Sequence, residues 1–347
     1  MPFPTIPKID EAARETAVSR QNELTKPAGS LGRLEDVAIQ IAGMTGNPRP
    51  RFQQKGVIIM AADHGVTCEG VSAYPAEVTP QMVLNFLYGG AAVNVLAKQA
   101  DASVTIVDIG VNSDLPKHPF LHQRKIKMGT DNMAQGPAMS PAEAAQAIQV
   151  GLDVVQSKID DGLDLVAIGE MGIGNTTAAT AMTAVFTQQP VANITGRGTG
   201  IDDARLAHKT QVIAQAIAIN QPDPADPLDV LAKVGGLEIA GLVGVVIGAA
   251  ANRVPVVMDG FIASSAVLVA AKLVPEIRPY LIAGHSSVEP GHQAILQELQ
   301  LQPLLTLDLR LGEGTGAVLA FHLIEAAVRT LDEMATFAEA AVSGKSM

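Results

Sequence analysis

The chain has no tryptophan, a single cysteine, and aromatic residues at only 3% of its 347 positions. Each scarcity excludes something. A lone Cys68 can form neither an internal disulfide nor a cysteine-rich zinc site, which fits a reducing cytoplasm. With aromatics so few and hydrophobic residues at 48%, the core has to be assembled from Ala, Val, Ile and Leu, which suits helices packed closely on a parallel sheet. Positive charge is short as well. The 24 Lys and Arg stand against 35 Asp and Glu, a net charge of −11, and no nucleic-acid partner is expected of such a surface. The longest apolar run, 237–251, is short for a bilayer span and reads as a buried helix, so no membrane partner is expected. The opening Met1-Pro2-Phe3-Pro4-Thr5-Ile6-Pro7 lacks a basic region followed by an apolar one and does not read as a signal peptide.

What is present is a rhythm of apolar, β-branched runs separated by alanine-rich helical stretches, the signature of repeated βα units. Strands are expected at 56–62, 103–109, 163–168, 254–259, 279–283 and 304–309. Helices are expected between them, among others at 91–99, 141–158, 202–220 and 261–273. Right-handed crossovers turn such a series into a parallel, doubly wound sheet, which binds its ligands beyond the carboxyl ends of the strands. Every expected strand does end in a polar or glycine-rich tip, and together the tips make one composite site. Segments 10–25 and 318–342 read as helices outside the βα rhythm.

The most informative tip is Gly169-Glu170-Met171-Gly172-Ile173-Gly174-Asn175-Thr176-Thr177. Its glycines allow a tight turn, Asn175 or Thr176 can cap the following helix, and free backbone N–H groups at the helix start suit a phosphate. The spacing is neither a P-loop nor a GxGxxG fingerprint, which disfavours ATP and NAD. Two acids, Glu170 and Glu313, sit in glycine-rich tips, where burial would raise a carboxyl towards neutrality and suit it to act as a base. A helix-capping or purely structural acid is the alternative for each. Lys209 can reach a phosphate as a point charge, or can be a solvated helix-face lysine. Asp63, His64, Asp259 and His285 all lie at strand tips, so a metal-dependent phosphohydrolase is one competing reading; a non-catalytic nucleotide sensor is another. Against the metal stand the scattered histidines and the lack of HExxH or a cysteine cluster.

Five stretches in order carry a resemblance: Lys26-Pro27-Ala28-Gly29-Ser30-Leu31-Gly32-Arg33-Leu34-Glu35, Ala61-Ala62-Asp63-His64-Gly65-Val66, the Gly169–Thr177 tip, Gly284-His285-Ser286-Ser287-Val288-Glu289-Pro290, and Leu311-Gly312-Glu313-Gly314-Thr315-Gly316. The chain resembles the nicotinate-nucleotide–dimethylbenzimidazole phosphoribosyltransferase family nearly end to end. The resemblance implies a Rossmann-like sheet of six parallel strands, with residues 30–320 as the α/β catalytic domain. Residues 1–29 together with 321–347 would form a small helical domain, and the enzyme would be a cytoplasmic homodimer. It implies nicotinate mononucleotide and 5,6-dimethylbenzimidazole as substrates, with no cofactor and no metal. Glu313 would be the base that deprotonates the benzimidazole, with Glu170 as a second catalytic carboxylate. Gly172, Gly174, Asn175, Thr176, Lys209, Ser286 and Ser287 would hold the ribose phosphate along with Glu170. Ser72, Tyr74, Gln81, Met82, Met171 and Leu311 would line the pocket for the incoming base.

Overall fold

In the computed structural model, which describes residues 2–198 and 200–343, the apolar runs are stacked side by side at the centre of the molecule. The strands are Lys55–Ala62 (β1), Ala102–Gly110 (β2), Leu121–Gln123 (β3), Leu165–Met171 (β4), Val256–Met258 (β5) and Leu281–Ala283 (β6). They pair in the order β3-β2-β1-β4-β5-β6, and every neighbouring pair is parallel. β1 is buried along its whole length, as a strand covered on both faces must be. From β1 the chain winds out to β2 and β3 on one side, then returns to lay β4, β5 and β6 on the other. The order therefore reverses between β1 and β4, which is where an open α/β sheet leaves a crevice at its carboxyl edge.

The helix Leu237–Ala251 is buried on every side but its last residue, so its apolar run packs as core. Among the described residues no helix is long and apolar enough to cross a membrane. This helix crosses Pro141–Asp160 so closely that a Cβ on Gly151 would strike the carbonyl of Gly241, and one on Gly244 the carbonyl of Ile148. Glycine is required at the crossing because backbone meets backbone. Capping follows the sequence elsewhere. Asp10 accepts from Ala13 N–H at 2.9 Å to start Glu11–Glu23, and Asp202 accepts from Arg205 N–H at 2.8 Å to start Asp203–Asn220.

Two expectations are corrected. Leu305–Thr306 (β8) does not join the main sheet; it pairs with His285–Ser286 (β7) in a separate two-stranded ribbon. Leu307 and Asp308 beyond it are exposed, so the segment lacks a second face to bury. The sixth place is taken by β3, a segment that carries no strand pattern in the sequence. The C-terminal helix runs Thr315–Glu333 and stops short of 342. The chain then turns back on the N-terminus through a Leu24–Thr336 bridge, while Arg20 donates to the carbonyls of Leu331, Asp332 and Met334 at 2.6, 2.9 and 3.1 Å. Position 1 and positions 344–347 of the expected helical domain lie outside the described residues.

Candidate active site

A cavity of about 530 Å³ opens beyond the carboxyl ends of the strands on the β4–β6 side of the sheet. Its floor is the turn that leaves β4. Gly174 takes the left-handed conformation at φ +93° and is itself the N-cap of Asn175–Thr187, with no side chain capping the helix. The expectation that Asn175 or Thr176 caps is therefore corrected. The Asn175 amide instead donates to Glu170 Oε2, and Thr176 Oγ1 accepts from Lys209 Nζ at 2.7 Å. A helix start with no side-chain cap is open to an anion.

Lys209 is 1% exposed, so it is not a solvated helix-face lysine. Burial pulls its ammonium down to about 8, with the Glu289 carboxylate resisting. A phosphate docking on the cradle would restore the full charge. Glu289 also holds the neighbouring loop, accepting from Gly198 N–H at 3.0 Å. Arg197 and Arg310 reach the cavity from that side; the first is paired with Asp203, and the second donates to the Gly198 carbonyl at 3.5 Å.

Glu313 occupies an unusual backbone position. Its φ is +64°, between Gly312 at +87° and Gly314 at +90°. A non-glycine residue there is strained and needs support. Asp259, at the tip of β5, supplies it by accepting from Gly314, Gly316 and Ala317 N–H at 3.2, 2.7 and 3.0 Å. His285 Nε2 lies 3.3 Å from the same carboxylate. The turn aims the Glu313 side chain into the cavity wall, where Oε2 accepts from Val93 N–H at 3.3 Å. Burial raises the Glu313 carboxyl above its ordinary value, opposed by the Val93 bond and reinforced by the charge of Asp259. Glu170 is pushed up to about 8, by burial first and then by Glu238, Asp259 and Glu313, with Asn175 opposing. One oxygen of Glu170 lies against Gly312, where any side chain would collide with it.

The structure gathers most of the sequence-derived site into this cavity. Glu170, Met171, Gly172, Gly174, Asn175 and Thr176 come from the β4 turn, and Lys209, Ser287, Leu311 and Glu313 from three other segments. Ser72, Tyr74 and Met82 line the mouth. Two residues are not brought in. Gln81 is exposed on the helix Val78–Leu87, and Ser286 accepts from Gln293 Nε2 at 2.7 Å outside the lining. Ser287 is fixed by His292, whose Nδ1 accepts from Ser287 N–H at 2.9 Å while Nε2 faces Ser264 Oγ at 3.0 Å. Burial, with His285 nearby, pulls His292 down to about 4, so it stays neutral. Sequence reasoning missed Arg197 and Phe261 as lining residues; the alternating glycines around Arg197 were the available signal.

The residues of the metal reading do not converge. Asp259 and His285 pair with each other, whereas His64 pairs with Glu238 at 2.6 Å and Asp63 accepts from Asn112 N–H at 2.8 Å. These are separate clusters on strand tips two places apart in the sheet. Among the described residues no group of three or more His, Cys, Asp or Glu is placed to hold a metal ion.

A doubly wound fold with a buried lysine at an open helix start and two carboxyls raised by burial in one cavity has the parts of a group-transfer enzyme. Comparison with known proteins makes this particular. The family described as Phosphoribosyltransferase matches residues 6–342. A nicotinate-nucleotide–dimethylbenzimidazole phosphoribosyltransferase of Chloroflexus aggregans is 62% identical over 337 residues, covering 97% of this chain and 96% of its own. One from Roseiflexus sp. (strain RS-1) is 59% identical over the same length. The crystal structure of CobT from Thermus thermophilus superposes with a TM-score of 0.93 at 49% identity, covering 96% of this chain and 99% of that one. The chain belongs to this phosphoribosyltransferase family and is an enzyme of that class.

Proposed function

We propose that the enzyme transfers the phosphoribosyl group of nicotinate mononucleotide to 5,6-dimethylbenzimidazole with inversion at the anomeric carbon. The products are nicotinate and α-ribazole 5′-phosphate, the latter used in assembling the cobalamin nucleotide loop. The observation that carries the reading is the meeting, in one cavity, of a buried lysine at an open helix start and of a carboxyl held in a left-handed turn.

The chemistry follows from the substrates. The leaving ring of nicotinate mononucleotide is already a pyridinium, so its bond to C1′ breaks with the electron pair returning to the ring nitrogen, and no general acid is needed. The acceptor's N–H proton passes to Glu313, and a benzimidazole nitrogen bonds to C1′ from the face opposite nicotinate, converting β to α. Oxocarbenium character at C1′ is stabilised by Glu313 while it is a carboxylate, whereas Glu170, holding its proton to about 8, offers its carbonyl dipole and not a full charge. Lys209, Thr176 and the β4 turn fix the phosphate so that the reacting carbon does not drift.

The reading extends to a homodimer working in the cytoplasm, on the strength of the family resemblance. The contacts of Arg20 with residues near 332 support treating the chain ends as one unit, although the helix Thr315–Glu333 runs unbroken past position 320. Incubating the purified enzyme with both substrates is expected to release free nicotinate and yield a product whose anomeric proton is that of an α-riboside by NMR. Binding without nicotinate release, or a β product, would overturn the proposal.

A further inference from the structure

Beneath the cavity floor lies a buried ion pair that the mechanism above does not use. His64, just past the end of β1, and Glu238, in the first turn of Leu237–Ala251, are at most 2% exposed, with Nε2 and Oε1 2.6 Å apart. Neither lines the cavity. Burial works against a charged imidazole here, but Glu238, with Asp63 beside it, outweighs burial and holds His64 above its ordinary value.

Such a pair is a poor source of stability, because desolvating two ions costs about what their attraction returns. Glu238 Oε2 adds to the cost, since it has no hydrogen-bond partner among the described residues. Its surroundings point to a different role. A Cβ on Gly172 would lie 3.1 Å from Glu238 Oε1 and 3.3 Å from His64 Cδ2, and the Ala62 carbonyl leaves no room for one at all. A side chain on Gly236 would collide with the same imidazole, with Glu238 Oε2 2.8 Å away. Gly172 lines the cavity two residues after Glu170, and of the acids that raise Glu170, Glu238 acts most strongly.

We propose that His64 and Glu238 are a positioning pair: the imidazole fixes the Glu238 carboxyl beneath the Gly172-Ile173-Gly174 turn, where it seats the turn and faces the cavity-lining Glu170. Glu170 is faced by Glu238 from the start of its helix, by Asp259 from the β5 tip and by Glu313 from the turn before the last helix, while Asn175 donates to it. Asp63 faces the imidazole from β1. Arg197, Lys209, Arg310, His285 and Glu289 line the same cavity and are unchanged by the test.

The test reads the titration of Glu170 in the free enzyme, by NMR of glutamate labelled with ¹³C at the side-chain carboxyl, assigned through E170Q. E238Q removes the facing charge and is expected to lower the midpoint by about one pH unit. H64Q removes the partner that fixes the Glu238 carboxyl at 2.6 Å, so the acid is no longer held facing Glu170 and the midpoint falls as well. The double variant is expected to move it no further than either single one. The limb of the kcat/KM profile nearest pH 8 is expected to follow; that arm rests on the transferase reading, whereas the NMR arm stands without it. An unmoved midpoint in E238Q, a rise in H64Q, or additive shifts in the double variant would overturn the proposal. If H64Q fails to fold by its melting curve, E238Q decides alone, since a purely structural support would leave the midpoint in place.

Discussion

Replacing Glu313 by glutamine removes one ionisable group and little else. The amide is isosteric, its oxygen can still accept the Val93 N–H now at 3.3 Å, and the three hydrogen bonds from the turn to Asp259 involve backbone only. General-base catalysis contributes roughly 10²–10⁴ in rate, so kcat/KM is expected to fall by that factor, about 3–5 kcal/mol of activation free energy. Stability is expected to move the opposite way. Burial and Asp259 raise this carboxyl, so the folded chain holds the proton more tightly than the unfolded one. Between the ordinary and the raised value only the unfolded chain has lost it, and stability falls as pH rises through that window. Glutamine carries no such cost. E313Q is therefore expected to melt no lower than wild type at neutral pH, with any advantage shrinking as the pH approaches the ordinary carboxyl range. Nicotinate release under saturating substrates and thermal melts across pH measure the two effects. Turnover within roughly tenfold of wild type would remove Glu313 as the base. Lost turnover with a lowered melting temperature would mean the turn had collapsed and the reasoning about support was wrong.

Three other outcomes are expected. E170Q gains melting temperature relative to wild type as the pH is raised towards 8, because the wild-type carboxyl retains its proton until about there; a pH-independent difference would contradict this. K209A raises KM for the nucleotide by about 10–100-fold, the worth of a charge-assisted hydrogen bond, while kcat changes less; an unchanged KM would take Lys209 off the phosphate. Chelation by EDTA leaves activity intact, since the acids and histidines of the strand tips are spent on one another; loss restored by a divalent ion would reopen the metal reading.

Much of this architecture was legible because buried parallel strands write themselves as continuous apolar runs. β1, β2 and β4 fall within about three residues of their expected bounds for that reason. β3 is Leu-His-Gln, too short and too polar to carry a pattern, and is a strand only because β2 offers it an edge. The run at 304–309 is apolar enough to mislead, and only the position of β7 decides where its two paired residues go. At the site, glycine spacing revealed the β4 turn and the Glu313 turn, since both require left-handed backbone. It could not reveal that the Asn175 side chain would be spent on Glu170 instead of on the helix start, which depends on a carboxyl delivered in three dimensions. His64 with Glu238, 174 positions apart in the chain, was beyond any local pattern.

The glycine crossing of Leu237–Ala251 over Pro141–Asp160 has an effect well away from the crossing itself. Where two helices touch through their backbones there is no side chain at that point to re-pack, which resists sliding or rolling there. The helix held there is the one that carries Glu238 in its first turn. A methyl group added at Gly151 or Gly244 would therefore act as a lever, tilting the helix and displacing Glu238 beneath the floor of the cavity.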